Sequence, residues 1–271
     1  MRTVWYSSPP GYLTSAKLAP VNPLISQYAD ALLRAGVAGT NTSHGAEDNL
    51  YKIGRLLDGE PSQTFGMDEL LEDVSFEEAY EAVTRQTGHP PDMEETGGRG
   101  CIDPARTAAG LVEAGERVRA AAEAGGTFVI ATGHPGALLS YYLGLVAWVE
   151  ELGGETLTGR TQGRYERGSI LDWVGAVGSL GDGASLRHTH DADPMRDLMR
   201  ELDGIDLVVA DHGFAGAAII ANIPTVAVMD TNDPALAVVA RRGADVTVVP
   251  MDDNRPQGSY AAALRVLKGK P

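Results

Sequence analysis

Four clusters of carboxylate, imidazole and amide side chains carry the chemistry open to this chain. They are Gly133-His134-Pro135-Gly136, Asp211-His212-Gly213, Asp230-Thr231-Asn232-Asp233-Pro234 and Asp252-Asp253-Asn254. Oxygen ligands at this density suit Mg²⁺ or Mn²⁺, with Asp211, Asp230, Asp253 and Asn254 as candidate ligands. Asp211, His212 and His134 are candidates for acid–base work, and Asn232 for metal or substrate. A fifth cluster, His188-Thr189-His190, puts two imidazoles on one face of an extended segment. Its flanking residues, Ala192 and Asp193, depart from the His-x-His-x-Asp-His pattern of zinc hydrolases. His188 and His190 therefore read as substrate contacts rather than as a zinc pair. Asn232 likewise departs from the Asp-x-Asp nucleophile pattern, and Asp233 before Pro234 reads as a helix cap. Thr132, Gly133 and Gly136 match neither dinucleotide fingerprint nor phosphate loop. They do form a strand-to-helix junction, whose free N–H groups suit an anion.

The elements that must position these residues are legible from the apolar runs before each cluster, at 127–132, 207–210, 225–229 and 246–249. Short β-branched runs alternating with helical stretches predict parallel strands buried on both faces. Right-handed crossovers then gather the C-terminal ends of those strands on one edge of the sheet, where α/β proteins bind ligands. Helices are expected over 23–35, 46–57 (capped by Thr42 or Ser43), 67–73, 75–87, 104–124, 135–152 and 194–202, with a strand near 155–159. The stretch 170–177, the turn Gly181-Asp182-Gly183 and the stretch 186–189 read as an inserted β-hairpin. Residues 89–100, rich in Pro and Gly, read as a linker or lid, and residues 1–20 as an arm. The expected architecture is α/β: a three-layer sandwich with a mainly parallel sheet over 103–271, and a helical N-terminal lobe over 1–102.

Composition narrows the partners. The 271 residues carry a formal net charge of −15, which argues against nucleic acid and against an anionic membrane. It leaves room for an anionic small molecule held by local cations. One cysteine, Cys101, fits a reducing compartment, and no signal peptide or spanning segment is apparent, so a cytoplasmic protein is expected. The oligomeric state is open, a homo-oligomer included. No serine nucleophile elbow is present, and Cys101 has no local activating context.

Several segments together resemble a group of actinobacterial proteins that bear a phosphatase label. They are 131–135, Leu180-Gly181-Asp182-Gly183, 188–190, 208–217, 232–236 and Asp252-Asp253-Asn254, with Glu47-Asp48-Asn49 and Arg55-Leu56 nearer the N-terminus. The likeness runs from about residue 25 onward. A looser likeness joins Gly181-Asp182-Gly183 and 211–216 to D-glutamate cyclases. Another joins Asp253-Asn254 to metal-dependent phosphatases with an Asp-Asn pair, although Arg255-Pro256 replaces their Ala-Gly.

The resemblance implies a metal-dependent phosphomonoesterase acting on a small metabolite. Asp211, Asp230, Asp253 and Asn254 would hold the metal. Asn49, Arg55 and the 133–138 turn would hold substrate, and His212 or His134 would move protons. Two alternatives use the same cleft: a metal-independent lyase or cyclase for a small carboxylic acid, and a non-catalytic metabolite-binding protein.

Overall fold

The computed structural model describes residues 23–95 and 97–270; the arm read at 1–20 lies outside the described residues. The helices are α1 (Pro23–Ala35), α2 (Ala46–Leu57), α3 (Pro61–Thr64), α4 (Phe76–Thr87), α5 (Pro104–Glu123), α6 (Pro135–Glu151), α7 (Asp193–Glu201), α8 (His212–Ile220), α9 (Pro234–Arg241) and α10 (Tyr260–Leu267). The strands are β1 (Thr127–Ala131), β2 (Glu155–Thr156), β3 (Ile170–Val174), β4 (Val177–Gly181), β5 (Leu186–Arg187), β6 (Leu207–Asp211), β7 (Thr225–Met229) and β8 (Val246–Pro250). They form one sheet in the order β3-β4-β1-β6-β7-β8, with β2 beside β1 and β5 beside β4. The run from β4 to β8 is parallel throughout, while β3 and β5 are antiparallel to β4.

Alternation along each strand builds the three layers. Phe128, Ile130, Val209, Val226, Val228 and Val249 face a core shared with α1, α5, α6 and α10. Val129, Ala131, Val208, Ala227, Met229 and Val248 face the opposite core, shared with α2, α4, α8 and α9. Side-chain period two places neighbours on opposite faces, so burial of both sets requires a helical layer on each side. The N-terminal helices supply parts of both layers: Tyr28 and Leu32 of α1 enter one core, Ile53 and Leu56 of α2 the other.

Several local expectations are corrected. The expected strand 170–177 is cut by a turn at Gly175 and Ala176, so β3 and β4 form the first hairpin and the 182–185 turn makes a second with β5. Gly175, at φ 60°, supplies the left-handed residue that a two-residue hairpin turn needs. The expected helix at 67–73 is a single 3₁₀ turn, Asp68–Leu70. The stretch 89–100 is bonded down rather than free. Asn49 donates to the Pro91 carbonyl (3.0 Å), the Ala46 N–H to Glu94 (2.8 Å), and Arg99 to the Ser43 carbonyl (2.6 Å). It buttresses the approach to α2.

Strand order places the site. From β1 the chain builds toward β4 on one side, and from β6 toward β8 on the other. The winding therefore reverses between β1 and β6, and helices α6 and α8 leave that point into opposite layers. Such a switch point opens a crevice at the strand C-termini. His134 and His212 are the residues at which those two helices begin or are capped.

Candidate active site

Five of the six histidines meet at that crevice. His44, His134, His188, His190 and His212 line a cleft of about 310 Å³ together with Asp48, Lys52, Asn232, Asp233, Asp253 and Asn254. The His134 and His188 rings stack with centroids 4.4 Å apart, and those of His190 and His212 lie 4.3 Å apart. His188 and His190 approach through their Nε2 atoms at 3.1 Å. The extended segment carrying them is tied to the first junction by the Thr189 N–H, which donates to the Gly133 carbonyl (2.8 Å).

His212 is the centre of the charge distribution. Its Nε2 lies 3.1 Å from Asp253 Oδ2 and 3.8 Å from Asp233 Oδ2, and its Nδ1 is 3.4 Å from Asp211 Oδ1. The backbone there is left-handed, φ 46°, a conformation that costs a residue with a Cβ about 1–3 kcal/mol and gathers at functional sites. Burial works against its imidazolium, but Asp233, Asp253 and Asp211 outweigh burial and raise it to about 9. His134 is also raised: burial is overcome by Asp253, 3.3 Å from its Nδ1. His188 and His190 go the other way, to about 4 and about 2, through burial and then the neighbouring His212 cation. The two are neutral imidazoles, the form that ligates metal.

The carboxylates divide in the same manner. Asp253 is buried, yet the imidazoles of His134 and His212 hold it well below the usual carboxylate range. Asp233 is pushed up to about 6, and Asp230 well above its ordinary value, by burial and by neighbouring carboxylates. Asp230 accepts from the Thr231 N–H through Oδ1 (2.6 Å), while its buried Oδ2 has no hydrogen-bond partner among the described residues and lies 3.8 Å from His44 Nε2. Asp252 is engaged by its surroundings: it accepts from Ser43 N–H (2.9 Å) and hydroxyl (2.8 Å), and pairs with Arg255 Nε (2.6 Å). That contact pins the His44 segment to the end of β8.

Among the described residues three groups could hold a cation, each with ligand atoms within 4.8 Å of one another: His134, His188 and His212; His44, Asp230 and Asp253; and His212, Asp233 and Asp253. The residues fit a metal on two counts. Asp230 Oδ2 is a buried polar atom without a hydrogen-bond partner among the described residues. Asp230, Asp233 and Asp253 are all buried within one neighbourhood, a concentration of carboxylates that a divalent cation offsets.

Placement of the expected residues is uneven. His134, His188, His190, His212, Asn232, Asp253 and Asn254 line the cleft, and Asp230 lies at its base beside His44. Asp211 does not line it. Both its oxygens are engaged from behind, by Thr132 Oγ1 (2.6 Å) and the Gly133 N–H (2.6 Å), so it positions the two junctions against each other. The anion that this turn binds is thus the protein's own carboxylate. The Ala137 and Leu138 N–H groups donate to the His134 carbonyl, and the Gly136 carbonyl accepts from Gln257. Asn49 is buried against the Pro91 carbonyl, and Arg55 pairs with Glu60 and with the Tyr51 hydroxyl; neither lines the cleft. The cation that α2 presents there is Lys52.

The sequence reading misses His44 and takes Asp233 for a helix cap. Asp233 sits at the helix-cap position of α9 but makes no side-chain cap bond; its Oδ2 accepts from the Asp230 N–H (2.9 Å). His44, with no motif around it, approaches from a segment far from the sheet in sequence and bonds Asp48 at 2.6 Å. The scarcity of histidine in the chain was the available signal.

These features define an α/β protein with a histidine- and carboxylate-lined cleft at the switch point of a parallel sheet. The chain belongs to the family described as Phosphatase, whose model matches residues 25–267. It is 34% identical over 241 residues to the Streptomyces coelicolor protein named Phosphatase SCO2771, covering 87% of this chain and 91% of that one. Among the described residues no helix is long and apolar enough to cross a membrane.

Proposed function

We propose that the cleft is a divalent-metal-dependent phosphomonoesterase centre acting on a small anionic metabolite. The observation that carries this reading is the buried, unpartnered Asp230 Oδ2 beside His44, in a site where Asp253 completes a ligand group. His44, Asp230 and Asp253 would hold the ion. A mixed nitrogen and oxygen donor set favours Mn²⁺ over the all-oxygen preference of Mg²⁺ and admits Zn²⁺. A bound ion supplies Lewis acidity toward the phosphoryl group and lowers the pKa of water. Lys52 offers a flexible cation for the phosphoryl oxygens at the cleft wall. His134, whose pKa Asp253 raises against burial and which is partly open to the cleft, is placed to give a proton to a leaving alkoxide. Asp211 acts from behind, fixing the His134 and His212 junctions.

The family name supports the reaction class. The test is phosphate release from a panel of esters by chelator-treated protein, with Mg²⁺, Mn²⁺ or Zn²⁺ restored singly. Release should require added metal and be faster with Mn²⁺ or Zn²⁺ than with Mg²⁺. Silence across the panel with every ion would refute the reading.

A further inference from the structure

His188 lines a second recess, of about 380 Å³, as well as the cleft, and the character of that recess differs from everything around it. In a chain of net charge −15, it is walled by two arginines, Arg167 and Arg187, and two serines, Ser169 and Ser185, with Glu166 as its one carboxylate. On the other flank, His190 is shared with a recess walled by five carboxylates, those of Glu60, Asp68, Glu166, Asp191 and Asp193, against one arginine, Arg196. The cleft therefore has a basic side and an acidic side.

The donors on the basic side are built and partly unspent. The Asp182 carboxylate accepts from the Ala184 N–H (3.0 Å) and the Ser185 N–H (2.8 Å), and so is fixed in a turn; it in turn grips the Arg187 guanidinium. That grip leaves Arg187 Nε buried without a partner among the described residues. The Ser169 hydroxyl is completely buried, faces no acceptor among the described residues, and belongs to a residue lining the recess. Arg167 makes no hydrogen bond or ion pair with any described residue. Its backbone is left-handed, φ 54°, between Tyr165 and Ser169, which close the turn through the Tyr165 N–H and the Ser169 carbonyl (2.9 Å). A non-glycine residue persists in that conformation only where its surroundings hold it. Guanidinium groups with hydroxyl donors bind carboxylate and phosphate oxygens more strongly than neutral acceptors, and repel a cationic group.

We infer that this recess receives a second anionic group of the substrate, a carboxylate or another phosphate, while the scissile phosphate lies in the histidine cleft. The substrate class is then a small phosphorylated metabolite with two anionic ends. This rests on the phosphatase reading above for the identity of the first end.

The test compares matched pairs, phosphoglycerate against glycerol phosphate and a hexose bisphosphate against its monophosphate, on metal-restored wild type, the double variant Arg167→Gln/Arg187→Gln and Arg167→Gln alone. Charge-assisted contacts of this kind give at least about a tenfold preference in kcat/KM for the doubly anionic member of a pair. The double variant should lose that preference, mostly through KM; Arg167→Gln, whose side chain is unpaired, should lose part of it and serves if the double variant does not fold. No preference in wild type, or one the arginine substitutions leave intact, overturns the inference. Calorimetric titration of metal-free protein with phosphoglycolate separates it from the catalytic reading. Binding weakened at least about tenfold in the variants upholds the recess even if no ester is hydrolysed. Equal binding overturns it whatever the hydrolysis shows.

Discussion

His212 Nε2 lies 3.1 Å from Asp253 Oδ2, although the two residues follow β6 and β8, with β7 between them in the sheet. The contact spans the cleft, and His134 reaches the same Oδ2 from beyond β1 at 3.3 Å. Asp253 is thus the carboxylate common to the histidine cluster and to two of the three candidate ligand groups. Asp253→Asn keeps size and hydrogen bonding but removes the charge that both imidazoles face. Activity should fall at least about 100-fold, and metal content measured by mass spectrometry should fall with it. Full metal content with full activity would remove Asp253 from the centre.

The shifted groups set a direction for stability against pH in the metal-free protein. His212 is raised from 6.5 to about 9, and Asp233 from 3.8 to about 6, so the folded chain holds more protons than the unfolded one between those values. Stability from His212 is complete below pH 6.5 and is lost as pH rises through about 9; that from Asp233 is complete below its unfolded value and lost through about 6. Those two slopes have the same sign, whereas the depressed His188 and His190 act in the opposite sense up to about their unfolded value of 6.5. Thermal melts in chelator should therefore show Tm falling from pH 7 to pH 9, with His212 contributing about 2 kcal/mol over that range. His212→Gln should flatten the upper part of the curve. A Tm that rises with pH would contradict the charge arrangement described.

Arg55 and Lys52 stand on the same helix, and only Lys52 lines the cleft, while Arg55 is held by Glu60 and Tyr51. Lys52→Met should raise KM for phosphate esters about tenfold, the loss of one charge-assisted contact. Arg55→Gln should leave kcat/KM within about twofold, as a surface pair contributes little. The reverse order of effects in steady-state kinetics would return Arg55 to the site.

What the sequence made legible follows its periodicities. The parallel strands and the edge that collects their C-termini were readable, because β-branched runs bounded by Gly and Asp admit few topologies. So were α1 and α2, whose Pro23 start and amphipathic spacing are local signals. The hairpin turn was displaced because Gly175-Ala176 offers a weaker turn signal than Gly181-Asp182-Gly183. Site roles were harder, since one residue type serves several ends. Asp211 and Asp230 have similar surroundings in sequence, yet one meets two donors across the sheet and the other is left with an unpartnered oxygen. Asp233 carries every mark of a cap and does not cap. His44 is held at the cleft by bonds such as those from Ser43 to Asp252, contacts between sequence-distant segments that no local pattern encodes.

Gly213 gives the last prediction. It follows His212 at the start of α8, and the segment bearing His190 and Asp191 lies directly on its Cα. A Cβ there would collide with the His190 carbonyl oxygen and with the Asp191 backbone. Those atoms belong to main chain, which cannot swing aside as a flexible side chain can. Gly213→Ala therefore has to push the His190 segment away from His212, whose ring centroids are now 4.3 Å apart. The cost in stability should be about 1–3 kcal/mol, measured by denaturant unfolding. Activity should fall further than the small fraction of unfolded protein explains, because the shift separates two imidazoles of the cleft. Gly136→Ala is the control: nothing lies near the position of its Cβ, and stability should change little. Equal tolerance of both substitutions would show that the His190 segment is not seated against α8 as described.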